Sequence, residues 1–223
     1  MLWAFVNKEK VEASPKTKGL CPLCENQVFS RCGEINSWHW AHYKGEGCDN
    51  WYEPESFWHL HWKRTFGKDN AEVVIEKEYK KHIADIFTKE GVVIELQNSP
   101  IQSQVITERE SFYGSKMLWL INGDTFKENF EIHEGAETFG IYRHFPEYRK
   151  SIKGIKPSHR FNWKWSRRSW KAAERPIFVD FGADCLFWVV DGMGTFGGTG
   201  KYVSKKQFIN KYGGDYEYYL QKT

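Results

Sequence analysis

Cys21-Pro-Leu-Cys24 is followed within 25 positions by His39, His42 and Cys48. Two thiolates two residues apart grip one zinc from a tight knuckle, and a later turn must bring the other ligands. Cys21, Cys24, His42 and Cys48 form the expected tetrahedral set, with His39 as an alternative ligand or a residue supporting the others. All four positions would then be filled by protein, making the zinc structural. Cys32 and Cys185 have no spacing partner and read as small buried hydrophobes. An odd count of five cysteines without an export signal also argues against a disulfide framework.

A second constellation is acidic. Glu55, His59 and Lys63 are spaced i, i+4, i+8 and would form one stripe on a helix. From the helix alone, a solvated polar face is the simpler reading. Downstream lies His82-Ile-Ala-Asp85-Ile-Phe-Thr-Lys-Glu-Gly91-Val-Val-Ile-Glu95-Leu96-Gln97. If residues 89–91 form a three-residue hairpin loop, partner numbers sum to 180 and Asp85 faces Glu95. Opposed carboxylates in an apolar hairpin repel unless a cation neutralises them. Oxygen donors of this kind suit Mg²⁺ or Mn²⁺, which activate water and polarise phosphoryl oxygens.

The elements that must position these residues follow from punctuation and periodicity. Residues 1–20 read as a short hairpin, and 21–50 are too poor in aliphatics to bury a core unaided. Pro54 to Phe66 reads as a helix stopped by Gly67. Strands are expected at 73–75, 83–87 and 92–96, a helix at 102–113 and a buried strand at 116–121. Residues 124–175 read as irregular, and a β-rich piece from Pro176 ends in a short helix near Lys205. The domains expected are 1–51, a zinc-finger-like module; 52–124, an α/β (α+β) core; and 125–223, a basic, β-rich extension.

The 223 residues contain 40% apolar and 27% charged residues, which excludes a disordered or collagen-like chain. No apolar run approaches the 18 residues of a membrane span, and MLWAFVNKEK lacks a signal-peptide layout. A soluble, cytoplasmic chain with no membrane partner is therefore expected. Charge is uneven: Tyr142 to Arg175 holds eleven Lys/Arg against two Asp/Glu, +9 within a formal total of +3, leaving −6 elsewhere. There Arg143, Arg149, Lys150, Lys164, Arg167, Arg168 and Lys171 interleave with Tyr142, Phe145, Trp163, Trp165 and Trp170. Cations neutralise phosphates and rings stack on unpaired bases, so Lys164, Arg167, Arg168, Trp163 and Trp165 are the expected nucleic-acid contacts.

In ordered succession, the chain resembles the competence protein CoiA family and, more widely, the PD-(D/E)XK nuclease core. The resemblance rests on Cys21-x2-Cys24, His39-Trp-Ala-His42, Cys48, Glu55-x3-His59-x3-Lys63 and Ile83-Ala-Asp85. It continues through Ile94-Glu-Leu-Gln-Asn-Ser99 with Ile101, then Glu108-Arg109, Tyr113 and Leu118-Trp119-Leu120. It covers roughly residues 1–123, with KWSRRSW and RPIFVDFG similar to the tail of some CoiA-like proteins. The resemblance implies a restriction-endonuclease-like core and a metal-dependent endonuclease or exonuclease. Asp85, Glu95 and the Leu96 carbonyl would hold Mg²⁺ or Mn²⁺, and Gln97 stands where the superfamily often has lysine. Lys63 would supply the missing cation, Glu55 an outer carboxylate, and His59 a phosphate contact or proton shuttle. His82 replaces the basic residue expected before Ala-Asp. Implied partners are DNA, single-stranded or branched forms included, and recombination or defence proteins, with a homodimer allowed. The alternative is a non-catalytic, zinc-containing DNA-binding or recruitment protein that keeps the fold.

Overall fold

The computed structural model describes residues 1–33, 37–43, 48–51, 55–135 and 157–221. The chain divides into two compact units, 1–94 with 209–223, and 95–208. Among the described residues no helix is long and apolar enough to cross a membrane.

The first unit begins with an antiparallel sheet of β1 (Trp3–Val6), β2 (Glu9–Glu12), β3 (Lys18–Leu20), β4 (Gln27–Arg31) and β5 (His39–His42), ordered β2-β1-β3-β4-β5. The β1–β2 hairpin turns through Asn7 and Lys8, both at positive φ, the two-residue geometry that matches strand twist. The Cys/His-rich stretch therefore contributes two strands as well as ligands. Its small core of Met1, Ala4, Ala13, Cys21, Val28 and Trp40 holds the Trp40 ring centrally, with Nε1 donating to the Val11 carbonyl at 3.0 Å. Gly19 packs closely here, since a Cβ would lie 3.1 Å from both Ala4 Cβ and the Phe5 carbonyl. Cys32 is half-buried against this core, and Cys185 is also only half-buried.

Helix α1 spans Phe57–Phe66. Ser56 caps it, accepting from the His59 N–H at 3.3 Å, while His59 Nδ1 accepts from the Ser56 N–H at 3.4 Å. That reciprocal cap satisfies two otherwise orphaned donors. It also corrects the expected helix start: Pro54 lies outside the described residues, and Glu55 precedes the cap instead of occupying a helical turn. The inward face carries Leu60, Trp62 and Phe66. Tyr219 of α4 (Tyr216–Leu220) packs on it, its ring 5.0 Å from Trp62. Strands β6 (Ala71–Lys77) and β7 (Lys80–Phe87) form a hairpin turning at Glu78 and Tyr79, both at positive φ. β7 then pairs with β8 (Val93–Gln97) through Ile86↔Ile94 and Phe87↔Val93, the register expected from a loop at 89–91.

In the second unit, α2 (Ser103–Tyr113) is followed by β9 (Met117–Asn122), β10 (Phe130–Glu134), β11 (His159–Trp163), β12 (Ile177–Asp180), β13 (Cys185–Asp191) and β14 (Gly197–Ser204). Their order is β10-β11-β14-β13-β12-β9-β8, with β9 and β12 parallel and the β10–β11, β11–β14, β14–β13 and β13–β12 pairs antiparallel. The short helix α3 (Lys205–Lys211) follows β14. Residues 124–175, expected to be irregular, supply β10, β11 and a 3₁₀ turn, Arg168–Ala172. Aromatic packing explains the difference. Phe130 and Phe161 stack at 4.5 Å, and Trp163 meets Phe126 at 4.9 Å.

Candidate functional site

In the first unit Cys21, Cys24, His42 and Cys48 bring one ligand atom each to within 4.8 Å of one another. Cys24 Sγ lies 3.3 Å from His42 Nε2, Cys48 Sγ 3.6 Å from the same nitrogen, and Cys21 Sγ 3.6 Å from Cys48 Sγ. Tetrahedral zinc with ordinary bond lengths needs ligand edges of about 3.5–3.8 Å, so the cluster fits structural zinc. The tight Cys21–Cys24 turn and strand β5 supply three of the ligands; the fourth follows β5. Burial pushes the Cys21 and Cys48 thiols up, so their thiolate forms require a cation. His39 lies outside the cluster, its Nδ1 2.8 Å from the Ser37 carbonyl oxygen. Strand alternation turns the neighbours of β5 in different directions, and only His42 reaches the thiols.

The second feature of this unit is a carboxylate cage around a buried lysine. Lys63 Nζ lies 2.8 Å from Glu55 Oε1, 3.0 Å from Glu72 Oε1 and 3.0 Å from Asp85 Oδ1. The Glu55 and Glu72 side chains are buried, whereas that of Asp85 retains 19% exposure. Burial disfavours the Lys63 ammonium, but the three carboxylates raise its pKa well above the ordinary lysine value. Burial likewise opposes ionised Glu55, yet Lys63, the N-terminal ammonium and His59 hold its carboxyl down at about 2. The N-terminal nitrogen, 3.6 Å from Glu55 Oε1, adds a further cation to the cage.

Glu72 is the cage member that the sequence reading missed. At the start of β6 it resembles an ordinary solvated acid. Instead its carboxylate accepts from the backbone N–H groups of Leu2 at 2.8 Å and Trp3 at 3.0 Å. Its φ of 49° places it in the left-handed region, uncommon for a side chain of this type. Lys10 adds a second tie between the N-terminal sheet and β6, donating to the Ala71 and Glu72 carbonyls. These contacts join the N-terminal sheet and the helix–hairpin segment within one unit.

The other expected residues have defined surroundings. His59 is buried, with Nδ1 committed at the helix cap. His82 stacks on Trp51 at 3.4 Å and pairs with Asp49 at 3.1 Å, while Asp49 also accepts from the Ile83 N–H. Glu95, Leu96 and Gln97 are all buried in the second unit. There Arg109 Nη1 donates to Glu95 Oε2 at 2.9 Å, and Gln97 Nε2 to the Ser99 carbonyl at 3.0 Å. The neighbouring Glu110 accepts from Trp119 Nε1 at 2.8 Å and from the Glu174 and Arg175 N–H groups. The cation needed by each motif acid is thus supplied by protein: Lys63 at Asp85 and Arg109 at Glu95. Among the described residues, the Cys/His cluster alone gathers three or more candidate metal ligands.

In the basic segment, Trp163 is fully buried and cannot stack on a base, which corrects its assignment. Strand alternation with Phe161 turns it into the aromatic core. Trp165 is 69% exposed, with Lys164 Nζ 5.1 Å above its ring, and Arg168 is exposed. Arg167 is half-buried, lying over Phe126 and donating to Thr125. Tyr142, Arg143, Phe145, Arg149 and Lys150 lie outside the described residues.

Residues 4–50 match the family model of the competence protein CoiA N-terminal domain. The match covers the five-stranded sheet from its second residue and includes all four clustered ligands. The match spans residues 4–50 of the 223 and makes this N-terminal part of the chain CoiA-like. No curated protein and no solved structure gives a significant match.

Proposed function

We propose that this chain is a CoiA-like nuclease that hydrolyses DNA phosphodiesters with Mg²⁺ or Mn²⁺ in a competence-related process. The observation that carries the reading is the Lys63 cage: three carboxylates gathered around one buried ammonium, with Asp85 as the carboxylate solvent reaches. Hard oxygen donors suit a hard divalent cation, and Asp85 is the ligand proposed for it. When bound, such an ion supplies Lewis acidity to a phosphoryl oxygen and lowers the pKa of its water. Lys63 holds Asp85 in place and keeps a positive charge beside the incoming phosphate, while Glu55 and Glu72 keep Lys63 protonated. Structural zinc holds the N-terminal sheet against which Glu72 is anchored. The exposed Lys164, Trp165 and Arg168 offer phosphate contacts and a stacking ring for unpaired DNA.

The second reading is a non-catalytic, zinc-containing DNA-binding or recruitment protein. It is favoured by the protein cations already seated on Asp85 and Glu95. Purified protein is incubated with plasmid and oligonucleotide substrates in Mg²⁺ or Mn²⁺, beside Asp85→Ala and Glu95→Ala. Metal-dependent cleavage lost in both variants supports hydrolysis by the motif acids. Equal nicking by all three proteins removes the assignment, and binding without cleavage establishes the second reading.

A further inference from the structure

A cavity of about 530 Å³ opens in the second unit among the Arg168–Ala172 turn, the start of β12, the end of β13 and residues 192–195. Its volume falls within the range of sites for small organic ligands. We propose that it binds a single nucleotide, with the phosphate on Arg175 and Lys171 and an exocyclic amine of the base on Asp191. The apolar wall of Ile177, Val190 and Met193 would cover the base.

The charged side chains lining this cavity do not pair with one another. Arg175 is half-buried, and its Nε is buried without a hydrogen-bond partner. Among the described residues no carboxylate lies within ion-pair distance of Arg175 or Lys171, and no cation within that distance of Asp191. A buried donor left unmade is costly, and native structures retain few of them. The same unit pairs its other deeply buried charges closely, as Lys205 and Asp180 do at 2.8 Å. Burial raises the Asp191 pKa, and the Gly192 N–H offsets this in part. The β13–β14 register shifts between Val189 and Asp191, a bulge of the kind that re-aims side chains beside binding sites.

A cationic group and a carboxylate across an apolar wall would also suit an amino acid. The surroundings select the nucleotide. Two cations, Lys171 and Arg175, line the cavity beside Trp170, with Glu174 exposed between them in sequence and Asp191 on the opposite element; a pair of cations suits a phosphate dianion better than a single carboxylate. A carboxylate accepts from the exocyclic amines of adenine, cytosine or guanine, whereas thymine has none. This inference depends on the cavity and not on hydrolysis at the Lys63 cage.

The test is calorimetric titration of the full chain with dAMP, dCMP, dTMP, deoxyadenosine, inorganic phosphate and methionine. dAMP and dCMP should bind, with dTMP and deoxyadenosine weaker by roughly tenfold. Arg175→Gln should cost dAMP roughly tenfold to a hundredfold, and Asp191→Ala should erase the difference between dAMP and dTMP. If Arg175→Gln does not fold, Asp191→Ala and Lys171→Ala, the latter at an exposed position, carry the test. The proposal is overturned if no nucleotide binds, if phosphate or methionine binds as tightly as dAMP, or if dAMP affinity survives these substitutions.

Discussion

The Cys/His cluster and the Lys63 cage face the same problem, several anionic groups gathered in partly buried surroundings, and solve it differently. In the cluster, three sulfurs and an imidazole converge on one another. In the cage, a lysine side chain occupies the centre and each carboxylate lies within 3.0 Å of it. The first fits a metal supplied from outside the chain, whereas the second is answered largely from within. Loss of metal should therefore unmake the first, whereas loss of one lysine should unmake the second.

The largest expected effect is on the cluster. Metal analysis should return one zinc per chain, and chelation or Cys24→Ser should remove on the order of 10 kcal/mol of binding coupled to folding. Hydrogen exchange would then show β3 to β5 unprotected; unchanged protection, or no zinc, ends the comparison at its first term. Next comes Lys63→Met, which strands buried carboxylates and should destabilise the protein by about 3–5 kcal/mol in urea unfolding. Adding Glu55→Gln should recover part of that loss, with a coupling of about 0.5–3 kcal/mol in a double-mutant cycle. Simple additivity would mean that the cage is not a unit.

A pH titration sharpens the same contrast. Glu55 is depressed from an ordinary 4.5 to about 2. Its contribution is therefore complete above the unfolded value and lost as pH falls from about 4.5 towards 2. Lys63 is raised, so its contribution is intact below the ordinary lysine value of 10.5 and lost only as pH climbs through the higher folded value. Chemical unfolding between pH 5 and 2 should show a slope that Glu55→Gln flattens; an unchanged slope would place the acid sensitivity elsewhere.

The smallest effect on stability is at Trp165 in the basic segment, where burial again separates neighbours. Trp163→Ala should cost about 3–5 kcal/mol of stability. Trp165→Ala should leave stability within about 0.5 kcal/mol but weaken single-stranded DNA binding by about 1–3 kcal/mol. Identical outcomes for the two would contradict their opposite exposures.

Much of the local structure is legible because local rules produce it. The three-residue loop at 89–91 sets the β7–β8 register, and the Cys-x2-Cys knuckle is joined by two more ligands, His42 and Cys48, within a short span. Gly67 ends α1 as its position suggests. Glu72 is different. Nothing local distinguishes it from a surface acid, and its partners Leu2, Trp3 and Lys63 are far away in sequence. Arg109 is hidden in the same way, since a charged residue on an ordinary helix gives no sign that a strand acid fourteen positions earlier will claim it. Trp163 and Trp165 look equivalent in a basic run until β11 directs the former inward.

The residues by themselves determined which chemistries are available: soft ligands at knuckle spacing, acids on a hairpin, and cations beside aromatic rings. Short-range geometry suffices for that, because turns, caps and strand alternation act over a few positions. Only the tertiary structure decided which charges are already answered, because burial and long-range pairing set the electrostatic state of every acid. Lys63 and Arg109 occupy the carboxylates that the sequence left open, while the Cys/His cluster is left to a metal.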